Sequence, residues 1–598
     1  MKSNLAVVST LLLLCACTPA PPVAPPPPPP APPPPSADQQ FEALAARYLR
    51  EAPEQSPVNA TGLGDHRFDA RLDDVGAAGW QSRIVFTELY LSALAPIDRS
   101  KLSRANQVDA LLLQHDLESD RWRLTTLEDW KWNPLVYTRI AGEGLNNLVA
   151  RDFAPLPERL KNAAGRLDEL PRLLAQEREV LEPARVPKIH AETAARQNSG
   201  LLSILDEIAR QGSSLPAEDL EKLKTSLAKA RSAINQHQIW LEKRLLPEAK
   251  GDFRLGAALY EQKLAFALFS PLSRQEIRAQ AESELAKTHA QMYEIARQVL
   301  KNHRGAPKLP EKPSPDEQRR GIRAALELAY AERPKRDAVL DAARHALVAT
   351  TKFVREKNIV TVPDEPLEII EMPEFQQGVA LAYCDSPGPL DKGQKTFYAV
   401  SPIPKSWSKA QTNSFLREYN DRSIQNLTIH EAMPGHYLQL AHANRYPSPL
   451  RAVLASGPFI EGWAVYTERV MADQGYLDGD PLMKLIQLKW YVRSIANALL
   501  DQAVHVDGMT QAAALKFLKD DAFQEEREAA GKWVRAQLTS AQLPVYFVGA
   551  REHMALRAEA EQKLGAAFDL KAYHDKVLSY GSPPVRFARE LMFDLPIG

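Results

Sequence analysis

The chain has 598 residues, a formal net charge of −1 and three cysteines. The near-neutral charge excludes the basic surface on which nucleic-acid binding depends, so we expect no nucleic-acid partner. Three cysteines cannot form a disulfide framework, and the fold must therefore rely on an apolar core, which this length permits.

The first 16 residues are predicted to be a lipoprotein signal peptide. Lys2 is followed by a short apolar run, Leu5–Leu14, which is too short to span a bilayer. The next residues, Leu14-Cys15-Ala16-Cys17, resemble a bacterial lipobox, so cleavage would leave the lipid on Cys17. The alternative is an ordinary signal peptide cut at a nearby alanine. Thr18 stands where an aspartate would favour inner-membrane retention, so the outer membrane, facing the periplasm, is favoured.

Residues 17–37 form a predicted lipid anchor and proline-rich tether, because proline tracts adopt extended polyproline II and act as spacers. Residues 38–358 are predicted to be an N-terminal helical region. Apolar residues recur there at three- and four-residue spacing, in the segments Leu160–Leu181, Ala217–Leu246, Ser273–Leu300 and Asp316–Ala331. After removal of the leader and tether, roughly 560 residues exceed what one small core needs, so two lobes are expected.

Residues 359–598 are predicted to be the region that carries the metal site. It begins with short, β-branched or apolar segments separated by turn residues, which predict strands at Ile359–Val362, Leu367–Met372, Val379–Tyr383 and Thr396–Val400. An extended peptide can pair with the edge of a small sheet. Phe397–Val400 is the candidate edge strand, although a purely structural hairpin fits the pattern equally well.

The central segment of this region is Thr428–His436, which contains His430, Glu431 and His436. In a helical His-Glu-x-x-His zinc site, the histidines are four residues apart and share one helix face. His430 and His436 are six apart, about 120° from a common face. Pro434 breaks a helix and Gly435 tolerates the break, so we predict an interruption that brings His436 back towards His430. A π-bulge would be a milder solution. The alternative is a helix that ends at Pro434, with two unrelated histidines.

A second acidic segment strengthens the prediction of a metal site. Catalytic zinc usually takes three protein ligands, and gluzincin peptidases take the third, a glutamate, from a second helix some two dozen residues further on. Glu461 lies 25 residues after His436, in a predicted helix Gly457–Asp473. Glu468 lies about 20° from Glu461 on this helix and could orient a metal ligand by hydrogen bonding.

These two segments resemble the bacterial family called domain of unknown function 885. The motifs that carry the resemblance are His430-Glu431-x-x-Pro434-Gly435-His436-x-x-Gln439 and Glu461-Gly462-Trp463-Ala464-x-Tyr466-x-Glu468. The likeness extends to an opening signature at Ala60–Asp69 and a closing part from Gln542 to Leu578, so it covers the chain from about residue 40 to the end. Tyr437 stands where a histidine is common, and Pro544 interrupts the closing signature.

The resemblance implies a mainly α, large helical, two-lobed, gluzincin-like peptidase fold, with a small β-sheet next to the metal-binding helix. It implies one Zn²⁺ per chain, bound by His430, His436 and Glu461, with Glu431 as general base. By analogy with helical gluzincins, Tyr546 and His574 are the expected donors to the oxyanion, although either could simply belong to the core.

The expected function is zinc-dependent hydrolysis of peptides in the cell envelope, by a protein held at the membrane by its lipid. Two alternatives remain open. The first is a lipid-anchored binding or scaffold protein that no longer turns over substrate. The second is a metal-dependent hydrolase of a non-peptide or cell-wall amide. The sequence leaves the oligomeric state and the peptide preference open.

Overall fold

Amphipathic helices form most of the protein, and the predicted mainly α fold class is confirmed. The structure is a computed structural model that describes residues 35–373 and 381–598. Before the sheet, the helices are α1 (Ala37–Gln55), α2 (Pro57–Leu63), α3 (Ala77–Leu94), α4 (Arg104–Trp122), α5 (Asp129–Trp132), α6 (Leu135–Ala150), α7 (Leu156–Val180), α8 (Lys188–Gly212), α9 (Ala217–Trp240), α10 (Leu246–Glu248), α11 (Gly256–Leu268), α12 (Arg274–Leu300), α13 (Pro315–Ala331) and α14 (Val339–Glu356).

Helices return after the sheet and carry the candidate site. They are α15 (Lys409–Glu418), α16 (Asp421–Glu431), α17 (His436–Ala443), α18 (Pro449–Val453), α19 (Gly457–Asp473), α20 (Pro481–His505), α21 (Gln511–Asp520), α22 (Glu526–Leu538), α23 (Pro544–Leu564), α24 (Leu570–Leu578) and α25 (Val585–Met592). The bounds predicted for α19 agree to the residue. Within the described residues, no helix has the length and apolar character needed to cross a membrane.

The apolar core falls into several clusters. The two largest draw their buried residues from positions 58–249 and 292–588. Helix α12 begins with a capping box, in which Ser273 and Glu276 bond each other's backbone N–H. The C-terminal part of α12 contributes Met292 and Ala296 to the second of these clusters, which also contains Trp463 beside the candidate site.

Residues Ala37–Gly598 form one compact unit. The division into two lobes and the boundary at 358/359 remain predictions.

The small sheet contains β1 (Leu367–Glu371), β2 (Ala382–Asp385) and β3 (Thr396–Val400). Its order is β1-β3-β2, with β1 parallel and β2 antiparallel to β3. The predicted edge strand Phe397–Val400 is therefore wrong: it belongs to β3, which is paired on both sides. In the sheet formed by the described residues, β2 is the edge strand nearer the site.

The predicted strand Ile359–Val362 is absent from the described structure. This segment follows α14 directly, and its polar groups bond side chains of α24 instead of another strand: Ile359 O with His574 Nδ1, and Thr361 N with Asp575. The predicted strand Val379–Tyr383 begins in the structure at Ala382. Its residues 379 and 380 lie outside the described residues.

The opening signature near the N-terminus holds the loop between β2 and β3. His66 lies between two carboxylates, with Nδ1 3.0 Å from Asp69 and Nε2 3.0 Å from Asp391 in that loop. Thr61 donates to Asp69 at 2.6 Å, and the buried Arg166 donates to Thr61. Partial burial lowers the pKa of His66, but the hydrogen bonds to Asp391 and Asp69 outweigh it and raise this pKa to about 9.

Replacing His66 with Gln should therefore destabilise the protein in a pH-dependent way. A folded-state pKa of about 9, above the ordinary value of 6.5, means that the stabilisation is complete below pH 6.5 and is lost as the pH rises through about 9. We expect a difference in Tm of the order of a few degrees at pH 6 that shrinks towards pH 10. Calorimetry measures this difference. If the difference in Tm between wild type and variant stayed constant from pH 6 to pH 10, the stabilising role of protonated His66 would be contradicted.

Candidate metal centre

The helix that carries His430 and Glu431 breaks where the sequence predicts. Helix α16 ends at Glu431, and α17 begins at His436. Between them, the backbone N–H groups of Ala432 and Met433 both donate to Thr428 O, and the indole of Trp463 donates to Pro434 O at 2.9 Å. This turn brings the rings of His430 and His436 to 4.7 Å between centroids, at an interplanar angle of 86°.

Gly435 allows the chain to turn back so tightly. Its N–H donates to Ile429 O at 2.9 Å. A Cβ at this position would lie 1.9 Å from His430 O and 2.4 Å from Ile429 O. Because real Cβ atoms do not approach oxygen this closely, any other residue would push α17 away from the end of α16, and His436 would move with it.

Glu461, in the second turn of α19, completes a group of three residues that could bind a metal ion, and these three are called the ligands below. Its Oε2 lies 3.6 Å from His430 Nε2 and 3.3 Å from His436 Nε2. One ligand atom from each residue lies within 4.8 Å of the other two. Two ligand atoms bound about 2.1 Å from a tetrahedral zinc ion would be about 3.4 Å apart, close to both carboxylate distances.

The hydrogen bonding of Glu461 also favours a cation at this point. Glu461 Oε2 is buried and makes no hydrogen bond among the described residues, although it lies at ion-pair distance from the Nε2 atoms of His430 and His436. A buried polar atom without a partner is costly unless a ligand satisfies it. The donor set of two imidazoles and a carboxylate suits Zn²⁺. His430, His436 and Glu461 therefore fit the ion that the resemblance implies.

Glu468 fixes the orientation of His430. Its Oε1 lies 2.7 Å from His430 Nδ1, and its Oε2 accepts from Asn426 Nδ2 at 2.8 Å. With Nδ1 donating to Glu468, His430 Nε2 is left as the atom that faces Glu461 and a metal ion. Asn426 lies one turn before His430 on the same face of α16. Its role could have been predicted from this spacing, but we missed it.

The electrostatics of the cluster reflect buried groups of opposite charge. Burial lowers the pKa of His430, but the carboxylates of Glu461 and Glu468 outweigh it and raise this pKa to about 10. Burial raises the pKa of Glu461, but the two neighbouring imidazoles outweigh it and hold this pKa well below its usual range. The Glu461 carboxylate is thus kept ionised, as a metal ligand must be.

Glu431 lies beside the three ligands, on the side of the sheet. Burial raises the pKa of its carboxyl group, although both imidazoles and a hydrogen bond from the backbone of Cys384 in β2 oppose the rise. A carboxylate next to a candidate metal position is suited to accept a proton from water and to return it. Glu431 lines the same cavity as the three ligands.

Tyr546 is a second side chain that lies close to His430. Its ring is 6.5 Å from that of His430, and its hydroxyl oxygen accepts from Arg535 Nη2 at 3.0 Å. Its helix, α23, packs so closely on α19 that a Cβ at Gly549 would lie 1.9 Å from Pro458 O. This contact places Tyr546 and Glu461 next to each other. Burial raises the pKa of Tyr546, which keeps its proton on the hydroxyl.

The structure does not bring His574 to the site. Its ring is fully buried, with Nδ1 2.8 Å from Ile359 O and Nε2 2.7 Å from the Tyr466 hydroxyl. Both ring nitrogens are therefore engaged within the core, and burial lowers the pKa of His574 to about 4. It packs against Trp463, which in turn supports Pro434, so its contacts are structural. The expectation that His574 is an oxyanion donor is corrected on this ground.

A large cavity, about 1040 Å³, opens onto the cluster. Its lining includes residues of β2, the three ligands, Glu431, Tyr546 and residues of α22, among them Lys532 and Arg535. Neither of these two cations was predicted from the sequence. A volume at the upper end of the range for ligand sites is large enough for several residues of a peptide.

Together these features define a mainly helical protein with a buried cluster of two histidines and a glutamate at the wall of a large cavity. The family "Bacterial protein of unknown function (DUF885)" matches residues 57–592, and the chain belongs to this family. A comparison with curated proteins finds no match.

Two solved structures are similar over nearly their whole length. A "putative lipoprotein of unknown function" from Shewanella oneidensis is 34% identical, with a TM-score of 0.77 over 92% of this chain and 99% of that chain. A "putative lipoprotein" from Colwellia psychrerythraea is 18% identical, with a TM-score of 0.76 over 94% of this chain and 99% of that chain. The second likeness shows the shared fold alone.

Replacing Gly435 with Ala should lower both stability and zinc content. The added methyl group has no room beside His430 O, and relieving such overpacking costs on the order of 1–3 kcal/mol. The displacement separates the two imidazoles, so metal measured by elemental analysis should fall well below one ion per chain. Gly457→Ala is the matched control, since a Cβ there meets nothing within 4 Å. Full zinc content in Gly435→Ala would contradict the proposed geometry.

Replacing Glu468 with Gln should weaken zinc binding without removing a ligand. The variant loses the carboxylate that orients His430, and changes of this kind typically cost about 10–100-fold in metal affinity. Competition with a chromophoric chelator measures the change. An unchanged affinity would mean that Glu468 serves only to satisfy Asn426.

Proposed function

We propose that this protein is a zinc-dependent peptidase of the cell envelope, related in mechanism to the gluzincins. The observation that carries the proposal is the convergence of three possible ligand atoms, in which the buried Glu461 Oε2 makes no hydrogen bond within the described ranges and lies 3.6 Å from His430 Nε2 and 3.3 Å from His436 Nε2. Glu431 beside this cluster and the large cavity in front of it support hydrolysis over simple metal storage.

Zinc bound by the three ligands would supply a Lewis acid and a water molecule of lowered pKa. Glu431 takes a proton from the attacking water while the oxygen of this water forms a bond to the peptide carbonyl carbon. Glu431 then passes that proton to the amide nitrogen as the C–N bond breaks. One water is consumed, and the products are a carboxylic acid and an amine.

Tyr546 stabilises the carbonyl oxygen as it becomes negative. Because a guanidinium can only donate, Tyr546 oxygen is the acceptor in its contact with Arg535, and its own O–H proton remains available to a substrate. The positive charge of Arg535 behind this hydroxyl makes it a stronger donor. A preorganised donor of this type typically contributes about 10²–10³ in rate.

We also propose that Cys17 carries a lipid and that residues 17–37 tether the enzyme to the outer membrane, facing the periplasm. The lipobox-like sequence and the description of the 34% identical Shewanella oneidensis protein as a lipoprotein support this part of the proposal. Residues 1–34 lie outside the described structure.

Replacing Glu431 with Gln should lower kcat on the order of 10²–10⁴-fold, because the general base is lost while the shape is kept. Zinc content should stay close to wild type, since Glu431 is not among the three ligands. Hydrolysis of a peptide library, followed by mass spectrometry, measures the loss. Glu282→Gln, an exposed glutamate on α12, is the control that should keep full activity.

The same library separates the proposal from its alternatives. Cleavage by the wild-type protein that stops with a chelator and returns with zinc supports a peptidase. Bound zinc without any turnover would favour a binding protein, and hydrolysis confined to non-peptide amides would favour the other hydrolase. An active Glu431→Gln variant would remove Glu431 from its role as base.

A further inference from the structure

The cavity contains a second group of charges away from the three metal ligands. Lys532 and Arg535 lie three residues apart on α22, so they share one face of that helix, and both line the cavity. A third cation, Arg493 on α20, also lines the cavity. These cations raise the question of which negative charge balances each of them.

Two nearby carboxylates are already paired. Glu418 lies 2.9 Å from Lys489 Nζ, and both side chains are buried. Glu528 lies 2.6 Å from Arg493 Nη2 and also accepts from the Tyr419 hydroxyl at 2.9 Å. Each of these acids therefore pairs with a cation other than Lys532, although both still act on Lys532 electrostatically, and Glu528 lies four residues before it on α22.

Lys532 is left without such a partner. Its side chain is only 3% exposed, and in the part of the chain that the structure describes no hydrogen bond or ion pair reaches its ammonium group. Burial, together with the guanidinium groups of Arg493 and Arg535, outweighs the carboxylates of Glu528 and Glu418 and holds the pKa of Lys532 well below its usual range. A buried cation of this kind costs stability, and an anion bound beside it would restore the balance.

This cationic wall lies close to the metal centre. Arg535 reaches the Tyr546 hydroxyl at 3.0 Å, and the Tyr546 ring is 6.5 Å from that of His430. One extended peptide residue spans about 3.3–3.6 Å. An anionic group held by Lys532 and Arg535 would thus be only one or a few residues away from a peptide carbonyl at the metal position.

We propose that Lys532 and Arg535 bind the free C-terminal carboxylate of a short peptide, so that the enzyme removes residues from the C-terminus. This inference rests on the proposed peptidase function and names its substrate class. A C-terminal carboxylate occurs once in every peptide, at a fixed distance from the last peptide bonds. A charged pair at the end of the cavity would therefore select the cleavage position by length, independently of sequence.

The test measures binding apart from turnover, in the zinc-loaded Glu431→Gln protein. The probes are acetyl-tetra-alanine as the free acid, the same peptide as its C-terminal amide, and an amidated analogue with one glutamate side chain. We expect the free acid to bind at least about tenfold more tightly than either amide in isothermal titration, as a charge-assisted hydrogen bond would give. Equal binding of acid and amide would overturn the proposal. Tight binding of the glutamate-containing amide would assign the subsite to an acidic side chain instead.

Adding Lys532→Met, and separately Lys532→Gln, should reduce the affinity for the free acid to that for the amide and leave the amide unchanged. The exposed Lys516→Met is the matched control and should keep the preference. Because an unpaired buried charge is removed, Lys532→Met should be at least as thermally stable as its parent. Equal losses for acid and amide in both Lys532 variants would overturn the role of Lys532.

The wild-type enzyme separates this inference from the proposed function. Preferential C-terminal trimming of the free acid supports both. Equal cleavage of acid and amide at internal bonds would overturn the subsite while leaving the peptidase intact. Preferred binding of the acid with no cleavage of any peptide would leave the subsite standing and remove the proposed activity.

Discussion

The contact between Gly435 and the carbonyl oxygen of His430 is the constraint on which the candidate site depends. A histidine six residues further along a regular helix would point about 120° away. Here the chain turns back so closely that even a Cβ would collide at 1.9 Å. The approach of His436 to His430, and with it the candidate metal position, therefore depends on this backbone geometry.

A second close approach sets the remaining groups around that position. Helix α23 packs against α19 at Gly549, next to Pro458 O, which places Tyr546 beside Glu461. From the same helix α19, Glu468 reaches back to His430. One helix therefore supplies both a proposed metal ligand and the carboxylate that orients His430, so the packing of α19 fixes the relative positions of these side chains.

The sequence predicted what local pattern determines and failed where distant pairing decides. The bounds of α19 and the break at Pro434-Gly435 follow from periodicity, proline and glycine. The order of the sheet does not, because β1 pairs with β3 across a long intervening segment and makes β3 central. His574 is a similar case. Its position in the core depends on Ile359 and Tyr466, and no local signal in the sequence points to either partner.

The missed cations show most clearly why local pattern is insufficient. Lys532 and Arg535 lie at a spacing that on most helices marks a solvated face. In the fold, α22 packs against α8, α15, α20 and α21, and Lys532 is buried at the cavity wall. The cavity wall then contains a carboxylate oxygen of Glu461 that makes no hydrogen bond among the described residues, and the buried side chain of Lys532. Burying charged groups of this kind is costly, and a ligand of the opposite charge offsets the cost. A metal ion at Glu461 and a peptide carboxylate at Lys532 would remove both costs, and the peptide bond between them would lie beside Glu431.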